Sequence, residues 1–198
     1  MIDSAQYTFI RQREMKGLGH AILTGKELVG DNPFAVVLAD DLCINDDKGV
    51  LAQMAALYRQ FRCSIVAVEE VPESETHKYG VIAGEHLSDD LIRITDMVEK
   101  PEQGTAPSNL AIIGRYILTP DIFDILEETQ PGKGGEIQIT DALLEQAKNG
   151  CVIAYKFKGK RFDCGSVDGY IEATNYCYQN VYLKGNKAEM DKTATEKV

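Results

Sequence analysis

Two long apolar runs mark the first half of the chain. Phe34 to Ala39 is continuously apolar and stops at Asp40-Asp41, and Ser64 to Val68, apolar after its serine, reads as another buried strand. Unbroken apolar segments of this length predict strands covered on both faces. Between them Val50, Met54, Leu57, Tyr58 and Phe61 recur at the spacing of one helical face. Strand, helix and strand in that order predict a right-handed β–α–β crossover. Upstream, Tyr7 to Arg11 reads as a strand, and Leu18, Ala21, Ile22, Gly25, Leu28 and Val29 fall on one face of a following helix. After Pro72 the runs shorten to Tyr79–Ala83, Leu91–Glu99 and Ala111–Leu118, which predict antiparallel or mixed strands. Pro120 to Leu126 reads as a short helix with proline in its first turn, and Thr140 as the cap of a helix reaching Lys148. Cys151 to Phe157 returns to a strand. Ser166 is the predicted N-cap of a last helix, along which Val167, Tyr170, Ile171, Thr174, Cys177, Tyr178 and Val181 keep helical spacing. The pattern is that of an α/β domain spanning 1–183, followed by a polar tail, 184–198, expected to be disordered.

Composition narrows the partners. The 198 residues are 44% hydrophobic, enough for a core, and carry a formal net charge of −10. That charge, with no basic run to relieve it, argues against nucleic acid as a partner but leaves room for a small nucleotide held by local donors and a metal. No segment approaches the roughly 20 apolar residues of a membrane span. Asp3, Gln6 and Arg11 interrupt the stretch where a signal peptide would be apolar, so a cytoplasmic protein is expected. Five cysteines with no C-x-x-C pair indicate neither a disulfide framework nor a zinc site and read as small buried hydrophobes. His20, His77 and His86 lack ligand spacing.

Several places pair chemistry with a strand end. Lys16-Gly17-Leu18-Gly19-His20-Ala21 lies between a strand and a helix, where glycines serve either a tight turn or the close approach of a flat ligand. Asp40 and Asp41 follow a strand at the edge where open α/β sheets bind ligands, and either hold a hard cation or solvate a loop. Asp163 follows another short strand and precedes Cys164-Gly165; a carboxylate there converging on Asp40 would complete a metal site. Glu99 and Lys100 end a strand before Pro101, which favours extended geometry at Lys100, so that both side chains edge one pocket or form a plain surface pair.

In combination these segments resemble a known family. Gln12 with Lys16–Ala21, Leu38–Leu42, Tyr79-Gly80-Val81, Val98–Pro101, PSNLAIIGRY (107–116), EIQITDA (136–142) and Phe162–Gly165 resemble, in this order, the bacterial UTP-glucose-1-phosphate uridylyltransferases. VEKP and YGV are shared by sugar nucleotidyltransferases generally, whereas KGLGHA with PSNLAIIGRY is particular to the uridylyltransferase branch. The resemblance implies a Rossmann-like nucleotidyltransferase fold with a mixed, mostly parallel central sheet, truncated at its N-terminus. It implies uridylyl transfer from UTP to glucose 1-phosphate, giving UDP-glucose and pyrophosphate, with Mg2+ held by Asp40 and Asp163. Gln12 would meet the uracil edge and Gly17 the nucleoside. Gly80, Glu99 and Asn109 would line the sugar pocket, and Lys100 would bind the phosphate of glucose 1-phosphate.

One family feature is missing from these residues. Nothing before Tyr7 matches the G-x-G-T-R-x-x-P loop and P-K-E-M segment that wrap the triphosphate. Activity of this chain alone is therefore in question, and a non-catalytic or sugar-nucleotide-binding piece needing an N-terminal partner is the alternative. A nucleotide-sugar glycosyltransferase is a further reading, opposed by VEKP and EIQITDA. Strands lost from a sheet leave unpaired edges and bare apolar surface, so a homo-oligomer is expected.

Overall fold

The computed structural model describes residues 5–45 and 47–183. The chain divides into two compact units: Met1–Val37 with Leu51–Phe157, and Leu38–Val50 with Lys158–Val198. The predicted tail, 184–198, lies outside the described residues.

The larger unit is built on a six-stranded sheet. Its order is β1 (Phe34–Val37), β6 (Leu110–Leu118), β3 (Ser64–Glu70), β7 (Val152–Lys156), β5 (Leu91–Glu99) and β4 (Gly80–His86), with β4 also pairing β6. The sheet is mixed, as expected, but not mostly parallel: β3 and β7 are its one parallel pair among the described residues. Two causes are visible. Residues 87–90 are too short a link between β4 and β5 for anything but an antiparallel hairpin. In addition, β6 inserts between β1 and β3. Those two strands are both antiparallel to β6 and so run the same way, with α3 (Val50–Phe61) between them in sequence; the β–α–β unit is present with a third strand inserted.

Apolar runs did not all mean burial. The first five residues of β3 are buried, as a strand covered on both faces requires, but β1 alternates half-buried with exposed positions because it is an edge strand. Tyr7 to Arg11 forms no strand, and Phe9 is 93% exposed. β-forming residues without a neighbouring strand have no ladder to join.

The helices follow the periodicity more closely. α3 spans the predicted stripe, buries Val50 and Met54, and ends at Arg62, whose φ of 55° supplies the left-handed stop usually given by glycine. The helix expected over 18–29 is broken at Thr24-Gly25 into α1 (Gly17–Leu23) and α2 (Lys26–Val29). α4 (Ile122–Glu128) and α5 (Ile139–Asn149) pack together, with Phe123 of α4 stacked on Phe34 at 5.0 Å. The N-cap of α5 is Gln138, so Thr140 lies within the first turn rather than capping it.

In the smaller unit β2 (Asp41–Ile44) pairs antiparallel with β8 (Lys160–Asp163), bringing Asp41 opposite Asp163, and α6 (Val167–Cys177) follows. Ser166 caps α6 as predicted, accepting from Gly169 N–H at 3.1 Å. Replacing Ser166 by Ala should lower stability by about 1 kcal/mol, read as a lower urea midpoint, because one N-terminal N–H loses its acceptor. Of α6 only Ala173 is buried, and Val167, Tyr170 and Ile171 of the predicted stripe are exposed. Among the cysteines Cys63 alone is buried; Cys43, Cys151, Cys164 and Cys177 are half-exposed, which corrects the reading of all five as core. No helix among the described residues is long and apolar enough to cross a membrane.

Candidate active site

In the larger unit Gly80 opens β4 directly opposite Glu99, the last residue of β5. Thr140 Oγ1 donates to Glu99 Oε2 at 3.1 Å, and Lys100 Nζ stands 3.8 Å from Glu99 Oε1. A Cβ on Gly80 would fall 2.7 Å from Thr140 Cγ2 and 3.0 Å from Glu99 Oε2. Any other residue would push one of them aside. Three separated segments, Tyr79-Gly80-Val81, Val98–Pro101 and EIQITDA, thus meet in one place. The Glu99 side chain is 16% exposed and that of Lys100 50%, so the carboxylate is the more buried of the two.

Lys100 does not take the extended geometry expected before Pro101. Its φ is 45°, a region costing a non-glycine residue about 1–3 kcal/mol, and its N–H donates to Tyr79 O at 3.0 Å. The hydrogen bond fixes Lys100 beside the start of β4. Thr140 was missed as a site residue because its sequence position suggested a cap; the available signal was its place inside EIQITDA. Beside it, burial pushes the Asp141 carboxyl above its ordinary range. Asn109 is exposed just before Leu110, and its carbonyl accepts from Val71 N–H at 3.0 Å, so its backbone is tied to Val71 rather than to the Glu99 cluster.

Gln12 and Gly17 are brought together a short way along the same motif network. Gln12 Nε2 donates to Gly17 O at 3.1 Å and lies 2.9 Å from His20 Nδ1. Gly17 has φ 85°, and a Cβ there would sit 2.7 Å from Glu136 Cβ. Gly19 N–H donates to Ile137 O at 2.9 Å and Ile137 N–H to Lys16 O at 2.8 Å. KGLGHA is therefore stitched to EIQITDA, and both glycines have a packing reason independent of a ligand. The stretch from Glu136 to Thr140 holds the Gln12 side at one end and Glu99 at the other.

The smaller unit resolves the roles of two adjacent acids. Asp41 is buried and ion-paired to Arg161, whereas Asp40 turns toward Asp163. Cys164 N–H donates to Asp40 O at 2.7 Å, which lays the turn after β8 against the turn before β2. A Cβ on Gly165 would lie 3.1 Å from Asp163 Oδ1 and 3.3 Å from Asp40 Oδ2, so the two carboxylates reach over the same bare glycine. Arg161 Nη2, 3.6 Å from Asp163 Oδ2, partly offsets their charge. No cluster of three or more His, Cys, Asp or Glu able to hold a metal occurs among the described residues. Two carboxylates over a space that a methyl group would fill nonetheless fit Mg2+, which keeps several waters and takes one or two carboxylates plus substrate phosphate.

Comparison with known proteins matches residues 3–180 to the Nucleotidyl transferase family. The chain is 70% identical over 186 residues to the UTP--glucose-1-phosphate uridylyltransferase of Pseudomonas aeruginosa PAO1, covering 93% of this chain and 67% of that protein. It is 48% identical over 170 residues to the enzyme of that name from Bacillus subtilis, covering 86% and 58%. Among solved structures, a UDP-glucose pyrophosphorylase complexed with UDP-glucose superposes with a TM-score of 0.85 at 65% identity, over 87% of this chain and 66% of that one. A UTP-bound UGPase from Acinetobacter baumannii gives 0.78 at 35% identity, over 91% and 63%. The chain spans about two thirds of the length of the Pseudomonas aeruginosa relatives it matches. With the motif segments meeting as described and these matches running through nearly all of its length, the chain belongs to the nucleotidyl transferase family, among the UTP-glucose-1-phosphate uridylyltransferases.

Proposed function

We propose that this chain carries the sugar-binding and metal-binding part of a uridylyltransferase that joins UTP and glucose 1-phosphate into UDP-glucose with release of pyrophosphate. The observation that carries the reading is the convergence of Gly80, Glu99, Lys100 and Thr140. In it Glu99 accepts hydrogen bonds from sugar hydroxyls, and Thr140 holds one of its oxygens in place. Bare Gly80 lets the ring approach backbone, Asn109 lines the rim, and Lys100 meets the phosphate as a point charge. Gln12 and Gly17 serve the uracil nucleoside. Asp40 and Asp163 would hold Mg2+, which when bound neutralises charge on the reacting phosphates. A phosphate oxygen of glucose 1-phosphate bonds to the α-phosphorus of UTP as the bond to pyrophosphate breaks. That displacement needs positioning and charge neutralisation, and no protein nucleophile.

The reading includes self-association as a homo-oligomer. Val37 on the open edge of β1 is 50% exposed, and unpaired strand edges are surfaces that proteins cover.

Calorimetric titration with UDP-glucose tests the sugar site. Glu99→Ala should weaken binding by about 1.5–3 kcal/mol, the range of a charge-assisted hydrogen bond. Thr140→Val should cost about 1 kcal/mol, since Glu99 keeps its charge but loses one neutral donor. Unchanged affinity in Glu99→Ala would remove this pocket from the account.

A further inference from the structure

Cys63 and Cys151 stand at matched positions immediately before β3 and β7, the parallel pair whose register begins at Ser64 and Val152. Adjacent strands lie about 4.8 Å apart, inside the span of roughly 4.4–6.8 Å that a disulfide bridges between Cα atoms. Cys63 is buried and Cys151 half-exposed. Both line a cavity of about 230 Å³ shared with Arg62, Thr119, Asp121 and Gln146. Gln146 is 4% exposed; its Nε2 donates to Thr119 Oγ1 at 3.0 Å and Asp121 Oδ2 at 2.8 Å, while its Oε1 is buried with no partner. A small cavity walled by two neighbouring cysteines and polar side chains admits a compact polar molecule.

We propose that Cys63 and Cys151 are a peroxide-responsive dithiol that closes to a disulfide, with hydrogen peroxide or a small alkyl hydroperoxide as the oxidant admitted by the cavity. The Cys151 sulfur attacks one peroxide oxygen; the S–O bond forms as O–O breaks, leaving a sulfenic acid and, from hydrogen peroxide, one water. Cys63 sulfur then attacks Cys151 sulfur, S–S forming as S–O breaks, and the hydroxyl leaves with the Cys63 proton as a second water. Two thiols lose two electrons and one peroxide gains them. Exposure and proton affinity set the order of attack: burial, reinforced by Cys151, pushes the Cys63 thiol up to about 12, so Cys63 stays protonated at neutral pH and acts second.

The test is peroxide treatment of the 198-residue chain at neutral pH, followed by thiol titration in denaturant and peptide mapping. Titratable thiols should fall from the five of the sequence by two, with one linked peptide pair containing Cys63 and Cys151, and dithiothreitol should restore them. Cys63→Ser should instead accumulate dimedone-reactive sulfenic acid on Cys151, and Cys151→Ser should leave Cys63 unreacted. A different cysteine pair, sulfinic acid on Cys151 of the unsubstituted chain, or equally fast loss of Cys63 in Cys151→Ser would each overturn the proposal. The map of the unsubstituted chain decides alone if either variant fails to fold.

Discussion

A polypeptide of these 198 residues is expected to bind UDP-glucose yet convert UTP and glucose 1-phosphate more than about 10³-fold more slowly than the full-length Pseudomonas aeruginosa relative, each lost phosphate donor costing about 10²–10³ in rate. The residues proposed to contact the product lie within this chain: Gly80, Glu99, Thr140 and Lys100 at the sugar, Gln12 and Gly17 on the nucleoside side. The G-x-G-T-R-x-x-P loop and its basic companion, which the family resemblance assigns to the triphosphate, are not among these residues. Binding energy realised on the product therefore survives, while groups acting on the departing pyrophosphate do not. A coupled pyrophosphate-release assay, run side by side on both proteins, measures the ratio. Turnover within about tenfold of the relative would mean that residues in hand hold the triphosphate, and the roles assigned by resemblance would need redrawing.

The meeting of the motif segments was more legible in the sequence than the order of the sheet was. α3 matched its stripe because helical periodicity is a local property, set by side chains three and four apart on one element. Strand direction is not local. Phe34–Val37 and Ser64–Val68 read alike, yet β1 is a half-exposed edge and β3 is buried, because β6, more than forty residues further on, inserts between them. Tyr7 to Arg11 failed for the same reason, having no neighbour to pair with. Glu99 and Lys100 could be named as a pair, but not the positive φ at Lys100, because a proline-based rule gave way to the hydrogen bond with Tyr79. Thr140 was hidden by a cap role that the structure gives to Gln138. Asp40 and Asp41 were indistinguishable in sequence; what separates them is Arg161, which the antiparallel pairing of β2 with β8 delivers to Asp41.

That separation gives two neighbouring aspartates opposite expected phenotypes. Asp40→Asn and Asp163→Asn should each weaken Mn2+ binding, used as an observable stand-in for Mg2+, by more than about 100-fold, since even outer-shell partners of metal ligands cost 10- to 100-fold. Both should leave the urea midpoint nearly unchanged, because neither carboxylate is buried. Asp41→Ala should do the reverse. It takes the nearer of two carboxylates from the nearly buried Arg161 guanidinium, whose side chain is 7% exposed and which keeps Asp163 at 3.6 Å, and should cost up to about 3–5 kcal/mol of stability. Glycine positions sharpen the contrast. Gly165→Ala places a methyl group 3.1 and 3.3 Å from the two carboxylate oxygens and should block the cation with both acids intact. Gly169→Ala would drive a methyl to 2.0 Å from Asp163 O, forcing the start of α6 away from β8 and shifting Asp163 itself. Electron paramagnetic titration of free Mn2+ reports affinity, and urea denaturation of the same samples reports stability. If Asp40→Asn and Asp163→Asn bind Mn2+ as the unsubstituted chain does, the two carboxylates over Gly165 are not its ligands, and the cation must be held by phosphate oxygens and other residues.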